Sequence, residues 1–127
     1  MMGAARRHSE RRRAQRRGRI AEALCRWRLR LCGWRILARD WRCPSGEIDI
    51  IARRGGVLAV IEVKSRRDVA TAAAALLPRQ RRRIARSAAA FLATRPDLVV
   101  LALRFDVMTV APLRLPQHLR DAWRCDE

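Results

Sequence analysis

Apolar residues recur at helical spacing between residues 18 and 33. Intervals of three and four residues place side chains on one face of an α-helix. The recurring apolar positions are Ile20, Ala23, Leu24, Trp27 and Leu31. Arginines occupy the opposite face, and Gly33 stands where a glycine commonly ends a helix. The pattern predicts an amphipathic first helix that ends near Gly33.

Three segments after this helix have the character of β-strands. They are WRILARDW at 34–41, EIDIIAR at 47–53 and VLAVIEVKS at 57–65. Between them, CPSG at 43–46 is a turn sequence, and RRGG at 53–56 is typical of a hairpin turn. Because short turns join antiparallel neighbours, we expect the three strands to form an antiparallel meander.

A second long helix is predicted to begin at Pro78, since proline is favoured in the first turn of a helix. Its apolar face is formed by Ile84, Ala85, Ala88, Phe91 and Leu92. The segment LVVLALRFDVMTV at 98–110 predicts one long strand or two short ones, and LPQHLRDAW at 115–123 predicts a short helical turn. The order α-β-β-β-α-β predicts an α/β domain with a mixed β-sheet flanked by helices.

Basic residues dominate the composition and indicate the class of partner. The chain has 29 lysines and arginines against 12 acidic residues, which gives a formal net charge of +17. A polyanion neutralises such a domain best, so nucleic acid is the favoured partner and an anionic membrane surface is the second. A coding bias towards arginine accounts for part of the shortage of lysine, but it does not account for the shortage of acids.

The charge pattern also divides the chain. Residues 1–17 are rich in arginine and poor in apolar residues, which predicts a disordered basic arm that either adds non-specific phosphate contacts or is simply a solvated tail. We expect residues 18–123 to form the folded domain and residues 124–127 a tail. The four cysteines form no C-x-x-C pair, which argues against a zinc site. Without a signal peptide or a membrane-spanning run, the sequence predicts a cytoplasmic protein with reduced thiols.

Two carboxylates and the only lysine of the chain fall on neighbouring predicted strands. Side chains alternate between the faces of a strand, so Glu62 and Lys64 point the same way. Pairing the strands across the Gly55–Gly56 turn brings Asp49 beside Glu62. Carboxylate oxygens of this kind suit Mg²⁺ or Mn²⁺, and a compact ammonium can contact a water or a phosphate as a point charge. An ordinary cross-strand salt bridge is the alternative interpretation.

The segment GWRILARDWRCPSGEIDIIARRGGVLAVIEVKSR, residues 33–66, resembles the YraN family of uncharacterised bacterial proteins. The resemblance extends to GRIAEAL before this segment and to LPRQRRRIARSAAAFLA, RFDVM and HLRDAW after it, so it covers about residues 18–123. This family is similar to the PD-(D/E)XK nucleases, near the Holliday-junction resolvases. The resemblance therefore implies a restriction-endonuclease-like core.

The resemblance also implies roles for individual residues. Asp49, Glu62 and Lys64 match the D…(D/E)-x-K motif of the nuclease superfamily, with Ile48 in place of the proline. Glu22 matches an acidic residue that related resolvases contribute as a further metal ligand, beside Asp49 and Glu62. Gln80 stands where the superfamily often has a polar residue that assists catalysis.

The predicted function is that of a Mg²⁺-dependent endonuclease that binds DNA in preference to RNA, including branched DNA, and acts as a homodimer. The arginines expected to contact nucleic acid are Arg66, Arg79, Arg82 and Arg83. The alternative is a non-catalytic nucleic-acid-binding module of the same fold that serves a partner complex. A third hypothesis, which rests on the net charge alone, is a basic protein bound to RNA. Asp106, on the late strand, is expected to be a structural hydrogen-bonding residue.

Overall fold

The computed structural model describes residues 18–124. The predicted arm at 1–17 and residues 125–127 of the predicted tail lie outside the described residues. Within the described part, helix α1 covers residues 18–31. The strands are β1 (Arg35–Cys43), β2 (Gly46–Arg54), β3 (Val57–Lys64), β4 (Ala102–Thr109) and β5 (Gln117–Trp123). Between β3 and β4 lie helices α2 (Val69–Ala74) and α3 (Pro78–Thr94) and a 3-10 turn (Pro96–Leu98).

The five strands form one mixed sheet in the order β1-β2-β3-β4-β5. Strands β1, β2 and β3 are antiparallel neighbours, β3 and β4 are parallel, and β4 and β5 are antiparallel. The predicted meander and both of its turns are therefore confirmed, as is the α/β class. The two helices α2 and α3 form the crossover that a parallel pair requires.

Helices cover both faces of the sheet. On one face, Cys25 and Leu29 of α1 pack with Trp34, Ile50 and Ile61. On the other face, residues of α2 and α3 form a second apolar cluster with the sheet, which includes Ala72, Ala73, Ile84, Ala88, Phe91, Ile48, Val60 and Val107. None of the helices within residues 18–124 is long and apolar enough to cross a membrane.

The prediction of a helical turn at 115–123 is wrong, because this segment forms strand β5. Its residues pair with β4, with Leu119 opposite Val107 and Gln117 opposite Thr109. Trp123 stacks on Phe105 with ring centroids 5.2 Å apart. The strand is stabilised by a partner that lies outside the segment, and local sequence pattern does not report such a partner.

The apolar face predicted for α1 is not the face that the sheet buries. The buried residues of α1 are Ala21, Cys25 and Leu29, spaced four apart. Two of these three side chains are small, which lets the helix approach the sheet closely. The larger residues of the predicted face, Ile20 and Trp27 among them, lie on the exposed side.

Candidate metal and catalytic site

Asp49 lies where strands β2 and β3 separate. The last residues paired at this end are Ile50 and Ile61. Beyond them, Asp49 Oδ2 accepts a hydrogen bond from the Val63 N–H at 2.9 Å. This bond holds the Asp49 carboxylate against the segment that carries Glu62 and Lys64, which is the approach that the strand pairing predicted.

Glu62 and Lys64 form an ion pair on β3. The Lys64 Nζ atom lies 3.4 Å from Glu62 Oε1, and the exposed fractions of the two side chains are 34% and 17%. Burial raises the pKa of Glu62 to about 7, and the charge of Asp49 acts in the same direction while Lys64 opposes it. The pair is therefore partly desolvated and lies within the electrostatic field of a second carboxylate.

A group of three carboxylates forms beside this pair. One oxygen each from Glu22, Asp40 and Asp49 lies within 4.8 Å of the other two. Burial raises the pKa of Glu22 to about 8, and hydrogen bonding with Asp40 and the charge of Asp49 add to the effect. Burial also raises the pKa of Asp49, although the Val63 N–H and the nearby Lys64 counteract it. We call Glu22, Asp40 and Asp49 the carboxylate cluster.

The family resemblance implied that Glu22 and Asp49 bind the same metal ion, and the structure brings both residues into one cluster. The sequence analysis did not identify Asp40 as a candidate ligand. The two-residue turn at Pro44–Ser45 sets the register of β1 against β2, with Arg39 opposite Ile50 and Trp41 opposite Ile48. Asp40 is therefore opposite Asp49, and counting back from the turn would have found it.

The backbone at Asp40 is unusual. Its φ is +48°, in the left-handed region that residues with a Cβ seldom adopt, although aspartate tolerates it better than most. Like charges directly opposite each other on a sheet are also destabilising. Strained backbone and unfavourable charge pairs concentrate at functional sites, where the surrounding fold maintains them.

The donor chemistry of the carboxylate cluster fits a hard divalent cation. All three side chains offer oxygen, which is the ligand type of Mg²⁺ and Mn²⁺. Burial is the main cause of the raised pKa values of Glu22 and Asp49, so negative charge at these two positions is unfavourable without a cation. Glu62, the third predicted ligand, adjoins the cluster through its electrostatic interaction with Asp49 and is ion-paired with Lys64.

The Gln80 side chain caps the start of helix α3, whereas the family resemblance implied that it assists catalysis. Its Oε1 atom accepts a hydrogen bond from the Leu77 N–H at 2.8 Å, at the start of α3. This bond satisfies one of the free N–H groups at a helix N-terminus. The assistance of Gln80 in catalysis therefore stays a prediction, and its observed contact is that of a cap.

The arginines expected to contact nucleic acid are solvent-exposed. Arg66 follows β3 by two residues, and Arg79, Arg82 and Arg83 lie on one side of the first turns of α3. Arg83 runs close over Gly46, whose φ is +148° and where a Cβ would lie 3.0 Å from Arg83 Cδ. Glycine at this turn therefore lets an arginine of α3 pass beside the start of β2.

Asp106 is a structural hydrogen-bonding residue, as predicted. Its buried carboxylate pairs with both Nε and Nη2 of Arg104 at 2.9 Å, lies 2.7 Å from His118 Nε2 and accepts the Asp121 N–H at 2.9 Å. These hydrogen bonds outweigh the effect of burial and hold the pKa of Asp106 below its usual value. The network connects β4 with β5.

The protein is an α/β protein of the PD-(D/E)XK-like nuclease fold class. It has the mixed sheet, the helices on both faces of the sheet, and the acidic residues and lysine where two strands separate. The chain belongs to the uncharacterised protein family UPF0102, the YraN family, whose model matches residues 21–110.

Curated relatives agree with this membership. A UPF0102 protein of Paramagnetospirillum magneticum is 48% identical over 117 residues, which cover 89% of this chain and 91% of the relative. A UPF0102 protein of Parvibaculum lavamentivorans is 52% identical over 111 residues, with 87% and 84% covered. A third, from Maricaulis maris, is 48% identical over 113 residues, with 89% of each chain covered.

Proposed function

We propose that the protein is a cytoplasmic, Mg²⁺-dependent endonuclease that cleaves phosphodiester bonds in DNA, branched DNA included. One observation carries the proposal. The cluster of Glu22, Asp40 and Asp49 adjoins the ion pair of Glu62 and Lys64 at the point where β2 and β3 separate. Glu22, Asp49 and Glu62 are partly buried and Asp40 is exposed, and a domain that only binds nucleic acid has no need of such a group of carboxylates in a basic protein.

The carboxylate cluster would hold the metal ion, with Glu62 beside it. When bound, Mg²⁺ supplies Lewis-acid polarisation of a phosphate oxygen and lowers the pKa of a bound water. The chain's own part is to present oxygens at fixed positions. The Val63 N–H fixes Asp49, and the pairing of β1 with β2 brings Asp40 opposite it.

Lys64 would stabilise negative charge on the reacting phosphate. Glu62 Oε1 lies 3.4 Å from Nζ and thereby orients the ammonium, which has further N–H donors for a phosphate oxygen or a water. The ammonium is partly shielded from solvent, and electrostatic stabilisation is stronger in such surroundings than in bulk water. The wide guanidinium of an arginine would not fit this role in the same way.

Exposed arginines would bind the DNA backbone without reading its sequence. Arg66 lies near Lys64, and Arg83 passes close to Gly46 at the start of β2. Binding of this kind weakens as salt is added: for each phosphate neutralised, a tenfold increase in salt concentration lowers the logarithm of the association constant by about 0.9. One domain has one set of catalytic residues, so we propose that two copies act together when both strands are cut.

The test is cleavage of a panel of DNA substrates by the purified protein with Mg²⁺ or Mn²⁺. The panel contains duplex, single-stranded and four-way-junction DNA, each with a matched RNA. Asp49→Asn should abolish cleavage while DNA binding persists. If every substrate stays intact with both metals while binding is salt-sensitive and indifferent to Glu62→Gln, the endonuclease proposal is wrong and the non-catalytic binding module takes its place.

A further inference from the structure

Helix α1 has a large apolar surface on its solvent side. Its members are Ile20, Leu24, Trp27 and Leu31, whose exposed fractions are 55%, 39%, 48% and 63%. Successive intervals of four, three and four residues align them along about three turns of one helix face. We call these four residues the α1 stripe. Contiguous apolar surface of this kind marks interaction sites more often than it marks free surface.

The stripe borders a groove between α1 and the loop that joins β4 to β5. The groove has a volume of about 640 Å³, and its apolar lining includes Ile20, Leu24, Val110, Pro112, Leu113 and Leu115. Leu113 is fully exposed and Leu115 is more than half exposed. A concave apolar surface beside a helix fits the inserted side chains of an amphipathic helix.

Arginines border this apolar surface. Arg114 lines the groove itself, and no described residue of its lining carries a carboxylate. Along α1, helical geometry places Arg28 on one side of the stripe and Arg30 on the other. A segment with apolar residues on one face and carboxylates along both edges would match this arrangement in shape and in charge.

Two other occupants of the groove fit less well. Residues 1–17 contain only Met1 and Met2 as large apolar residues, so the chain's own N-terminal segment has too few side chains to fill it. A second copy bound through this same surface would place its flanking arginines opposite those of the first copy. Like charges across an interface oppose association.

We propose that the α1 groove binds an acidic amphipathic helix from a protein partner. The partner's apolar residues occupy the groove and the stripe, and its carboxylates pair with the flanking arginines. This surface is separate from the candidate metal site: Ile20, Ala21 and Leu24 line the groove, whereas Arg19 and Glu22 line the cavity beside the carboxylate cluster. Ser65, which follows Lys64 in the chain, lies at the edge of the groove, so the two surfaces adjoin although they share no lining residue. The inference does not depend on nuclease activity.

The test uses synthetic peptides and the full-length protein. The probe is a labelled amphipathic peptide of leucine and glutamate, about 15 residues or longer so that it can form a helix. Its control has every leucine replaced by serine and the same charge. Fluorescence anisotropy at physiological salt should show binding of the leucine peptide at least about tenfold tighter than the serine peptide, since burial of leucine side chains in the groove favours binding and serine side chains lack this contribution.

Matched variants locate the binding surface. Leu24→Ser and Leu113→Ser should each weaken leucine-peptide binding several-fold, and both remove side chains that are already exposed, so folding should persist in circular dichroism. Val100→Ser serves as the control, because Val100 is 86% exposed and does not line the groove. Its binding should equal that of the unchanged protein.

Three results would overturn the inference. The first is equal binding of the serine and leucine peptides, which would mean that charge alone attracts them. The second is full binding by Leu113→Ser and Leu24→Ser. The third is occupation by another class of molecule: tighter binding to phosphatidylglycerol vesicles that both substitutions abolish, or a dimer in light scattering that they convert to a monomer.

Discussion

Asp40 lies directly opposite Asp49 across the β1–β2 ladder, and an oxygen of each carboxylate lies within 4.8 Å of an oxygen of Glu22. Two facing aspartates are unfavourable in a sheet unless something compensates their charge. A divalent cation would compensate three carboxylates at once. Changes to these carboxylates should therefore alter the affinity for a metal ion, the stability of the metal-free protein and the rate of cleavage.

We expect Asp40→Asn to weaken Mn²⁺ binding by about tenfold or more, since loss of a residue that ligates or orients a metal ligand has effects of this size. Titration calorimetry on the folded protein measures it. Asp97→Asn is the matched control, because Asp97 is an exposed aspartate paired with Arg95. Equal affinity in the two variants would remove Asp40 from the metal site.

The metal-free protein should lose stability as the pH rises from about 5 to 8. The pKa of Glu22 rises from 4.5 to about 8 on folding, and that of Glu62 from 4.5 to about 7. Between these values the folded state holds protons that the unfolded state has released, so the free energy of unfolding falls with rising pH. Thermal melts with EDTA should show Tm declining across this range.

Saturating Mg²⁺ should raise Tm more at pH 8 than at pH 5, because the ion binds the deprotonated carboxylates. Glu22→Gln should flatten the pH dependence without metal, since the pKa of Glu22 rises further than that of Glu62. A Tm that increases from pH 5 to pH 8 in EDTA would contradict the assignment of raised pKa values to this site.

Lys64→Arg should retain DNA affinity and lose cleavage by about 100-fold or more, the scale for loss of one preorganised donor to a developing charge. The charge is conserved, but the guanidinium presents a planar fork where a compact ammonium stood. Single-turnover cleavage and filter binding on the same substrate separate the two effects. Arg53→Lys is the reciprocal control at an exposed position near the β2–β3 turn, at the end of β2 away from Asp49, and it should change neither quantity appreciably.

Asp106→Asn should lower the free energy of unfolding by about 3 kcal/mol, since it removes the buried anion of the pair and leaves a partly buried Arg104 without its partner. An amide also cannot accept all the hydrogen bonds that Asp106 accepts from Arg104, His118 and Asp121. Urea unfolding measures the change. Metal affinity should be unaffected, which distinguishes this network from the candidate site.

The local pattern of apolar and polar residues was sufficient to predict the antiparallel meander of β1, β2 and β3 and the helix α3. Alternating residues and glycine-containing turns identified β2 and β3, and the motif residues followed from their alternation. Strand β5 was missed because its stability comes from pairing with β4, and its many polar residues conceal that partner. Strand pairing between distant segments is a tertiary interaction that a single stretch of sequence does not express.

The orientation of α1 illustrates a second limit. Size and hydrophobicity favour Ile20, Leu24 and Trp27 as its buried face, yet the sheet accepts Ala21, Cys25 and Leu29. Close approach of a helix to a sheet rewards small side chains, and only the packed geometry reveals how close that approach is. The structure also brings Asp40 into the site. The sequence could have predicted this position, because the turn at residues 44–45 sets the register of β1 against β2.

Lys64 also gives the protein a chemical property that no arginine provides. It is the only lysine in the sequence, and about a third of its side chain is open to solvent. An amine-selective acylating reagent therefore has a single side-chain target, located at the candidate site. Acylation would remove the charge that pairs with Glu62, so one modification both labels the site and neutralises its ammonium group.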